Sequence, residues 1–252
     1  MPDAPAPVNG LPATGLPGSA RPGGSPGAID LSRTVAVAVG ERANTKAGDH
    51  ALLADLVARL TGVDAASVSL TQRCPRCGAG EHGPLRVRIA GSTSGVPRVS
   101  LARSGDLLAL AVTAAGPVGI DLESLADLAR APLDDVALSP AEAVALAPLQ
   151  PAATAAALAT IWTTKEAVLK AAEVGLRTDP RDLSVTLESA GRLHDRSPGP
   201  TDRRTVSWPE APFSVNDVQV WPVAAPPGAA ATVVVVCARR PALVMVTAPP
   251  PR

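Results

Sequence analysis

Two acidic side chains, Asp121 and Glu123, lie two positions apart in the segment Val118–Glu123. If this segment is a β-strand, the alternation of side chains places both carboxylates on the same face. Neighbouring carboxylates repel each other unless a cation or a hydrogen-bond donor lies between them. Hard oxygen ligands suit Mg²⁺, which keeps several waters and is completed by substrate phosphates. Taken alone, however, the pattern favours a solvated strand end over a metal site.

A second group of reactive side chains occurs in the segment 161–170. On a helix, Trp162, Glu166 and Lys170 follow one another at intervals of four residues and share one face. Taken alone, this pattern favours an amphipathic helix with a Glu–Lys surface pair. Two of the three lysines of the chain, Lys165 and Lys170, lie here, whereas arginine occurs twenty times. The lysines are a hint that a compact ammonium group is required at this place.

The two segments together, in this order, resemble the paired signature of the Sfp-type 4′-phosphopantetheinyl transferases, although each segment alone is a weak signal. The matching segments are Gly119–Glu123 and Trp162–Lys170. Three further segments resemble the family. Leu52–Arg59 resembles its N-terminal helix, and Val99–Gly105 lies where the family has its Ser-His-Ser-Gly segment. Gly175-Leu176 resembles the Gly-Leu that follows the lysine helix.

The resemblance implies an α+β fold in which two similar α/β halves pack in pseudo-twofold fashion, the 4′-phosphopantetheinyl transferase fold. It implies a Mg²⁺-dependent enzyme that transfers the 4′-phosphopantetheine group from coenzyme A to a serine of an apo acyl or peptidyl carrier protein and releases 3′,5′-ADP. Mg²⁺ is then the cofactor, coenzyme A the co-substrate and the carrier protein the partner. The sequence does not distinguish fatty-acid, polyketide and nonribosomal peptide pathways.

The same resemblance implies roles for four side chains. Asp121, Glu123 and Glu166 would hold Mg²⁺ against the diphosphate of coenzyme A. Lys170 would neutralise phosphate charge and assist the departure of 3′,5′-ADP, and Glu166 would accept the serine proton directly or through a water. A metal and a cationic side chain stabilise the charge that develops on the leaving oxygens, so a covalent nucleophile from the protein is not needed.

The sequence departs from the family pattern at several places that concern coenzyme A. The family's Ser-His-Ser-Gly is Ala102-Arg103-Ser104-Gly105 here. We expect Arg103 to bind a phosphate in place of the histidine, because a guanidinium binds phosphate bidentately at any working pH; the alternative is a surface arginine in a turn. The cofactor-binding candidates are Arg103, Ser104, Lys165, Lys170, Gly83, Lys46 and His50, with Arg42 as a weaker one.

Two of these departures bear on loop geometry. His82-Gly83-Pro84 corresponds to the family's Gly-Lys-Pro but lacks the lysine, so only a backbone contact with adenine is expected. Glu173 replaces the first glycine of the family's Gly-x-Gly-Leu, and we expect this loss to extend the preceding helix by part of a turn. These changes motivate an alternative hypothesis, a catalytically inactive module that binds coenzyme A or a carrier. Against it, an inactive site has no physical need for clustered carboxylates.

The segment Cys74-Pro75-Arg76-Cys77-Gly78 resembles one zinc knuckle. A structural zinc site requires about four ligands, and no second cysteine pair follows. His82 is a possible third ligand and Cys237 a remote fourth. The spacing favours two reduced thiols in a loop, and a small zinc-containing interaction protein is kept as a further alternative.

Periodicity predicts the elements that position these residues. We expect helices over residues 49–60, 140–146 and 152–172, and strands over 31–39, 85–89, 98–101, 107–112, 118–123, 183–187, 205–208, 218–223, 231–238 and 242–246. Ser139, Pro140 and Glu142 provide an N-cap, a first-turn proline and a capping box. The expected organisation is a disordered Pro/Gly-rich tail (1–27), an N-terminal half (28–116), a C-terminal half with the metal site (117–247) and a tail (248–252).

The composition disfavours two other classes of function. Aromatic residues make up only 2% and the net charge is zero, so stacking platforms and basic surfaces for nucleic acid are not expected. The most apolar stretch, Ala143–Ile161, is interrupted by Pro148 and Pro151, and the N-terminus lacks a signal-peptide pattern, so no membrane segment is expected. We predict a cytoplasmic protein, and a monomer because one chain supplies the whole site.

Overall fold

The computed structural model describes residues 29–92, 95–131, 133–187 and 204–251. Within these ranges the strands are β1 (Thr34–Glu41), β2 (Val68–Gln72), β3 (Leu85–Ile89), β4 (Arg98–Ser104), β5 (Leu107–Thr113), β6 (Val118–Ser124), β7 (Ser184–Leu187), β8 (Arg204–Ser207), β9 (Val218–Val223), β10 (Ala229–Val236) and β11 (Ala242–Met245). The α-helices are α1 (Lys46–Thr61), α2 (Leu125–Leu128), α3 (Asp134–Ala137), α4 (Pro140–Leu146) and α5 (Pro151–Ala171).

Most of the strands form two sheets. A four-stranded sheet has the order β11-β1-β5-β4, and a three-stranded sheet has the order β6-β10-β9. The pairs β2-β3 and β7-β8 form two smaller antiparallel units. The last strand, β11, pairs in parallel with β1, so the end of the chain returns to the first sheet.

The two larger sheets pack face to face between two helices. Ala36 and Ala38 of β1 belong to the core that includes Leu53 of α1, whereas Val35 belongs to the core shared with Ile120 of β6. This alternation follows from the pleat of the strand, which sends successive side chains to opposite faces. With few aromatic residues available, both cores consist mainly of Val, Leu and Ala.

Serine hydroxyls join the edges of the two sheets. The Oγ of Ser100 on β4 accepts a hydrogen bond from the backbone N–H of Ile120 at 3.1 Å. In the same way, the Oγ of Ser104 accepts from the backbone N–H of Ser124 at 2.8 Å. These side chains satisfy backbone donors of β6 that no neighbouring strand pairs on that side, and so they hold β6 next to β4.

Helix α5 lies on the outer face of the second sheet, in close contact with β6. A Cβ atom added to Gly119 would lie 1.9 Å from the carbonyl oxygen of Ala167 and 2.7 Å from the backbone nitrogen of Ala171. Real Cβ atoms do not approach other atoms this closely. The position therefore requires glycine because the helix backbone occupies the space of a side chain.

The predicted α+β class is confirmed, as are helices α1, α4 and α5 and the capping box of α4. Strand β2 and the short helices α2 and α3 were not predicted, because short segments carry little periodic signal. The proposed relation of two halves by a pseudo-twofold axis stays a prediction. Residues 1–27, which the sequence predicts to be disordered, lie outside the described residues.

The C-terminal residues pack more closely than their composition suggests. The sequence predicts a free tail from residue 248, yet Ala248 packs against the core around α1 and Pro249 is buried. The guanidinium of Arg59 on α1 donates a hydrogen bond to the carbonyl oxygen of Thr247 at 2.5 Å. The pairing of β11 with β1 directs the chain over this surface, which composition alone does not reveal.

No helix in the described ranges has both the length and the apolar character that are needed to cross a membrane.

The contact of α5 with β6 generates a stability prediction. Gly119→Ala should lower the free energy of unfolding by roughly 1–3 kcal/mol or more, because the added methyl group meets the helix backbone rather than a movable side chain. Gly80→Ala is the control, since a Cβ there would have its nearest neighbour, the carbonyl oxygen of Gln72, at 3.6 Å. Urea unfolding of both variants tests this; equal stability would show that the helix is free to move away.

Candidate active site

The face of α5 that carries Glu166 and Lys170 lies over β6. The Nζ of Lys170 donates to Asp121 Oδ1 at 2.6 Å and to the carbonyl oxygen of Ile120 at 3.1 Å. About two helical turns before Lys170, the Nε1 of Trp162 donates to Glu123 Oε1 at 3.3 Å. The helix face and the acidic strand that the sequence predicted separately therefore meet in one site.

Burial raises the pKa of all three carboxyl groups in this site. For Asp121 the loss of solvation outweighs the favourable charge and hydrogen bond of Lys170, and its pKa is raised. The pKa of Glu166 is raised mainly by burial. For Glu123, burial and then the charge of Asp121 raise the pKa to about 7. A cation among these groups would favour their ionised forms and oppose each of these shifts.

Two carboxylate oxygens of the site are buried without a hydrogen-bond partner, Asp121 Oδ2 and Glu166 Oε1. A buried acceptor without a partner typically costs about 1–3 kcal/mol, so such atoms require an explanation. The donor set consists of hard oxygens, which Mg²⁺ prefers. The residues present therefore fit a magnesium ion.

The three carboxylates are not drawn into a tight cage. Among the described residues, a group of three ligand atoms within 4.8 Å of one another is formed not by these carboxylates but by Cys74, Cys77 and His82. A looser carboxylate set is compatible with Mg²⁺, which commonly binds one or two carboxylates and takes its other ligands from water and substrate phosphates.

A cavity of about 570 Å³ has Lys170 in its wall. Lys170 connects this cavity to the carboxylates through its hydrogen bond to Asp121, although the three carboxylates are not among the described residues that line it. Its described lining includes five lysine and arginine side chains, namely Arg76, Arg86, Arg103, Lys170 and Arg177. The one acidic side chain in that lining is Glu173. The excess of positive charge favours an anionic ligand, such as one carrying phosphate groups.

Arg103 is held in this wall by a buried acid. Its Nε donates to Asp49 Oδ2 at 2.6 Å, and Asp49 also accepts from Arg42 at 3.2 Å and from the backbone N–H of Ala43 at 2.9 Å. The Nη2 of Arg103 is buried without a partner. The guanidinium is thus fixed on one side and retains a donor for an anion on the other.

The other predicted coenzyme A residues differ in position. His50 and Gly83 line the cavity, and burial, followed by the charge of Arg103, lowers the pKa of His50. Lys46 donates to the carbonyl oxygen of Glu81, and is not among the described residues that line the cavity. Ser104 is likewise absent from that described lining, and its hydroxyl accepts a hydrogen bond from the backbone N–H of Ser124.

Lys165 lies away from this cavity, and its predicted role requires correction. Its side chain is fully buried, and its Nζ donates to Glu142 Oε2 and to the carbonyl oxygen of Ala137, both at 2.6 Å. Glu142 also accepts from the backbone N–H groups of Ser139 and Val185. The ammonium group holds the start of α4 against α5, so we no longer assign it to a ligand.

Glu173 does not extend α5, contrary to the sequence expectation. The helix ends at Ala171, and Glu173 takes a φ of 60°, the one positive φ among the described non-glycine residues. The backbone N–H of Val174 then closes the helix end on the carbonyl oxygen of Leu169 at 3.2 Å. Glu173 thus adopts the left-handed conformation that glycine adopts more easily, and its carboxylate pairs with Arg86 at 2.5 Å.

Sequence reasoning missed Arg86 and Arg177, as well as Ser100, all of which line the cavity. Arg86 and Arg88 alternate with apolar residues in β3, which indicates a strand with one polar face. This alternation does not indicate which part of the protein the polar face contacts. No local signal identifies Ser100, whose hydroxyl binds β6.

Residues 117–218 match the model of the 4′-phosphopantetheinyl transferase superfamily. The matched region contains Asp121, Glu123, Glu166 and Lys170, and it extends from β6 to the first residue of β9. This finding confirms the resemblance at the level of the superfamily. A search of the curated proteins found no matching relative.

The structural role of Lys165 gives a testable prediction. Lys165→Met should lower the free energy of unfolding by about 3–5 kcal/mol, because it leaves Glu142 buried without its cation. The double variant Lys165→Met/Glu142→Gln removes the uncompensated charge and should recover part of this loss. Thermal and urea unfolding measure both. A single variant as stable as the parent would restore Lys165 as a candidate for ligand binding.

The left-handed conformation of Glu173 gives a second testable prediction about stability. Glu173→Gly and Glu173→Ala both remove the partly exposed ion pair with Arg86, but only glycine also relieves the left-handed backbone. The glycine variant should be more stable than the alanine variant by about 1 kcal/mol. Urea unfolding compares the two, and equal stabilities would mean that the helix end rearranges in solution.

Proposed function

We propose that this protein is an Sfp-type 4′-phosphopantetheinyl transferase that modifies a serine of an apo acyl or peptidyl carrier protein. The observation that carries the proposal is the pair of unpartnered carboxylate oxygens on Asp121 and Glu166, beside Lys170 at the wall of a cation-lined cavity. The superfamily match to residues 117–218 supports phosphopantetheine transfer in general. The subfamily, the metal and the substrates are our inference.

Coenzyme A is the anion that we place in the cavity. The buried Nη2 of Arg103 supplies an unused donor for a phosphate, and His50 lies in the same wall. Gly83 also lines the cavity. Because glycine has no side chain, the flat adenine ring could lie directly against its backbone. Lys46 contributes positive charge near His50, as its effect on the pKa of His50 indicates.

Asp121, Glu123 and Glu166 would hold Mg²⁺. When bound, Mg²⁺ supplies a Lewis acid that stabilises negative charge on phosphate oxygens. The Trp162 indole N–H orients Glu123 through its hydrogen bond at 3.3 Å, and Lys170 keeps its ammonium group next to Asp121. The protein thus keeps both a cation and acidic groups in place before substrate arrives.

The transfer itself forms one bond and breaks another. The carrier serine oxygen bonds to the phosphorus that bears pantetheine, the bond from that phosphorus to the oxygen bridging to 3′,5′-ADP breaks, and the serine proton passes to Glu166 directly or through a water. Burial raises the pKa of Glu166, and a bound Mg²⁺ would oppose this shift and favour the ionised carboxylate, which is the form that accepts a proton. Lys170 lines the cavity, where its charge stabilises the departing phosphate.

Several further features belong to the same proposal. We infer a monomer in which two similar halves pack around the site, a cytoplasmic location, and no nucleic-acid or membrane partner. The carrier protein is expected to be acidic and to approach arginine-bearing surface near the cavity. These inferences follow from the resemblance and from the composition of the chain.

The direct test is to incubate the protein with coenzyme A, Mg²⁺ and a panel of apo-carrier proteins, and to follow the mass of each carrier with and without EDTA. We expect a Mg²⁺-dependent gain of one phosphopantetheine on at least one carrier. Coenzyme A binding without transfer to any carrier would favour a non-catalytic binding module instead.

Variants of the site test the assignment of residues. Asp121→Ala and Glu166→Gln should lower the rate of transfer by at least roughly 10²- to 10⁴-fold, since they remove a metal ligand and the base. Asp127→Asn is the matched control, because Asp127 is an exposed acid of α2 that pairs with Arg130. Circular dichroism checks that each variant is folded. Normal turnover in Asp121→Ala or Glu166→Gln would refute the metal assignment.

A further inference from the structure

The loop between β2 and β3 gathers three side chains with the chemistry of a soft metal site. The ligand atoms of Cys74, Cys77 and His82 all lie within 4.8 Å of one another. The Sγ of Cys77 lies 3.3 Å from the Nε2 of His82. The cysteines are free thiols in this structure and not a disulfide. The loop therefore has three ligand atoms close enough to share one ion.

Backbone hydrogen bonds produce this convergence. The N–H of Gly78 donates to the carbonyl oxygen of Cys74 at 3.0 Å. The N–H of Cys74 donates to the carbonyl oxygen of Ala79 at 2.8 Å. These two bonds turn the chain back after Cys77. Gly83, with a φ of 101°, lies against the backbone of the strand end, where an added Cβ would be 2.7 Å from the Cα of Cys74. This close approach returns His82 to the cysteines.

The sulfur of Cys74 is also surrounded by donors. The backbone N–H groups of Cys77 and Arg76 point at it and lower the pKa of the Cys74 thiol to about 6. The thiolate is the form of cysteine that binds metals.

Burial does not explain why these three side chains converge. Cys77 and His82 are exposed, and Cys74 is only partly buried. An exposed loop with so little buried apolar surface gains little from the hydrophobic effect. A bound ion that cross-links three of its side chains would supply the missing constraint.

We propose that Cys74, Cys77 and His82 bind one zinc ion, with water in the fourth position. Thiolate and imidazole ligands select zinc over Mg²⁺ and Ca²⁺, which prefer oxygen. Two thiolates balance the double positive charge of zinc. Cys237 is not a ligand, since it is absent from the described cluster and its Sγ donates to the carbonyl oxygen of Arg239 at 3.3 Å. The zinc site replaces the interpretation as two independent thiols.

The site lies in the wall of the cavity, and its water ligand distinguishes it from a closed structural zinc site with four protein ligands. Cys74, His82 and Gly83 belong to the wall of the cavity that also contains Arg103 and Lys170. Zinc would fix this part of the wall without taking part in chemistry at the carboxylates. The inference does not depend on the proposed transferase function, because metal content can be measured without substrate.

The experiment measures metal bound to the full chain, purified under reducing conditions from medium supplemented with zinc. We expect one zinc per chain after gel filtration, in the parent and in Cys237→Ser, the matched cysteine control. Cys77→Ser and His82→Ala should weaken zinc binding by at least roughly 100-fold, as measured by competition with a chromophoric chelator. Cobalt substitution should give the thiolate charge-transfer band and the intense visible bands of a tetrahedral site.

A second measurement keeps the test independent of folding defects in the variants. In the parent protein, zinc should slow alkylation of Cys74 and Cys77 but leave that of Cys237 unchanged, as followed by peptide mass spectrometry. It should also slow hydrogen exchange in residues 73–84. The proposal is overturned by a zinc-free parent protein, by a Cys74–Cys77 disulfide in the reduced preparation, or by full zinc content in Cys77→Ser.

Discussion

The close contact between α5 and β6 at Gly119 determines the geometry of the candidate active site. Because the backbone of the helix takes the space of a side chain, the helix approaches the strand closely enough for Lys170 to reach Asp121. The same contact places Glu166 and Trp162 over the acidic strand. A helix held one side chain farther away would leave these groups too far apart to act together. Gly119 is therefore as important for the geometry of the site as the carboxylates of Asp121 and Glu123.

Two lysines on α5 illustrate how burial separates structural from functional charges. Lys165 and Lys170 are five positions apart and so point about 140° apart around the helix. Lys165 is fully buried and satisfied by Glu142 and a carbonyl oxygen, which leaves it no freedom to bind a ligand. Lys170 keeps 30% of its side chain exposed and faces both Asp121 and the cavity. Residues of one type in one motif thus have different roles because of their surroundings.

The cavity connects two regions of different coordination chemistry. On the side of Lys170 lie the buried carboxylates, whose oxygens suit a hard ion. Burial, and then the charge of Asp121, raise the pKa of Glu123 to about 7. On the other side lie the sulfurs of Cys74 and Cys77 and the imidazole of His82, which suit a soft ion. This difference in ligand type would allow the proposed Mg²⁺ and Zn²⁺ ions to be selected independently. Between them, arginine side chains provide the positive charge for an anionic ligand.

Local patterns in the sequence determined much of this protein. The capping box of α4, the extent of α5 and the strand that carries Asp121 and Glu123 were all predictable, because capping, helical periodicity and strand alternation depend on neighbouring residues. Only the tertiary structure decided which side chains meet: that Lys165 is buried, that Arg86 enters the cavity wall and that β11 returns to β1. It also decided that Glu173 ends the helix in a left-handed conformation. These outcomes depend on which surfaces bury one another across long separations, and a local pattern contains no information about that.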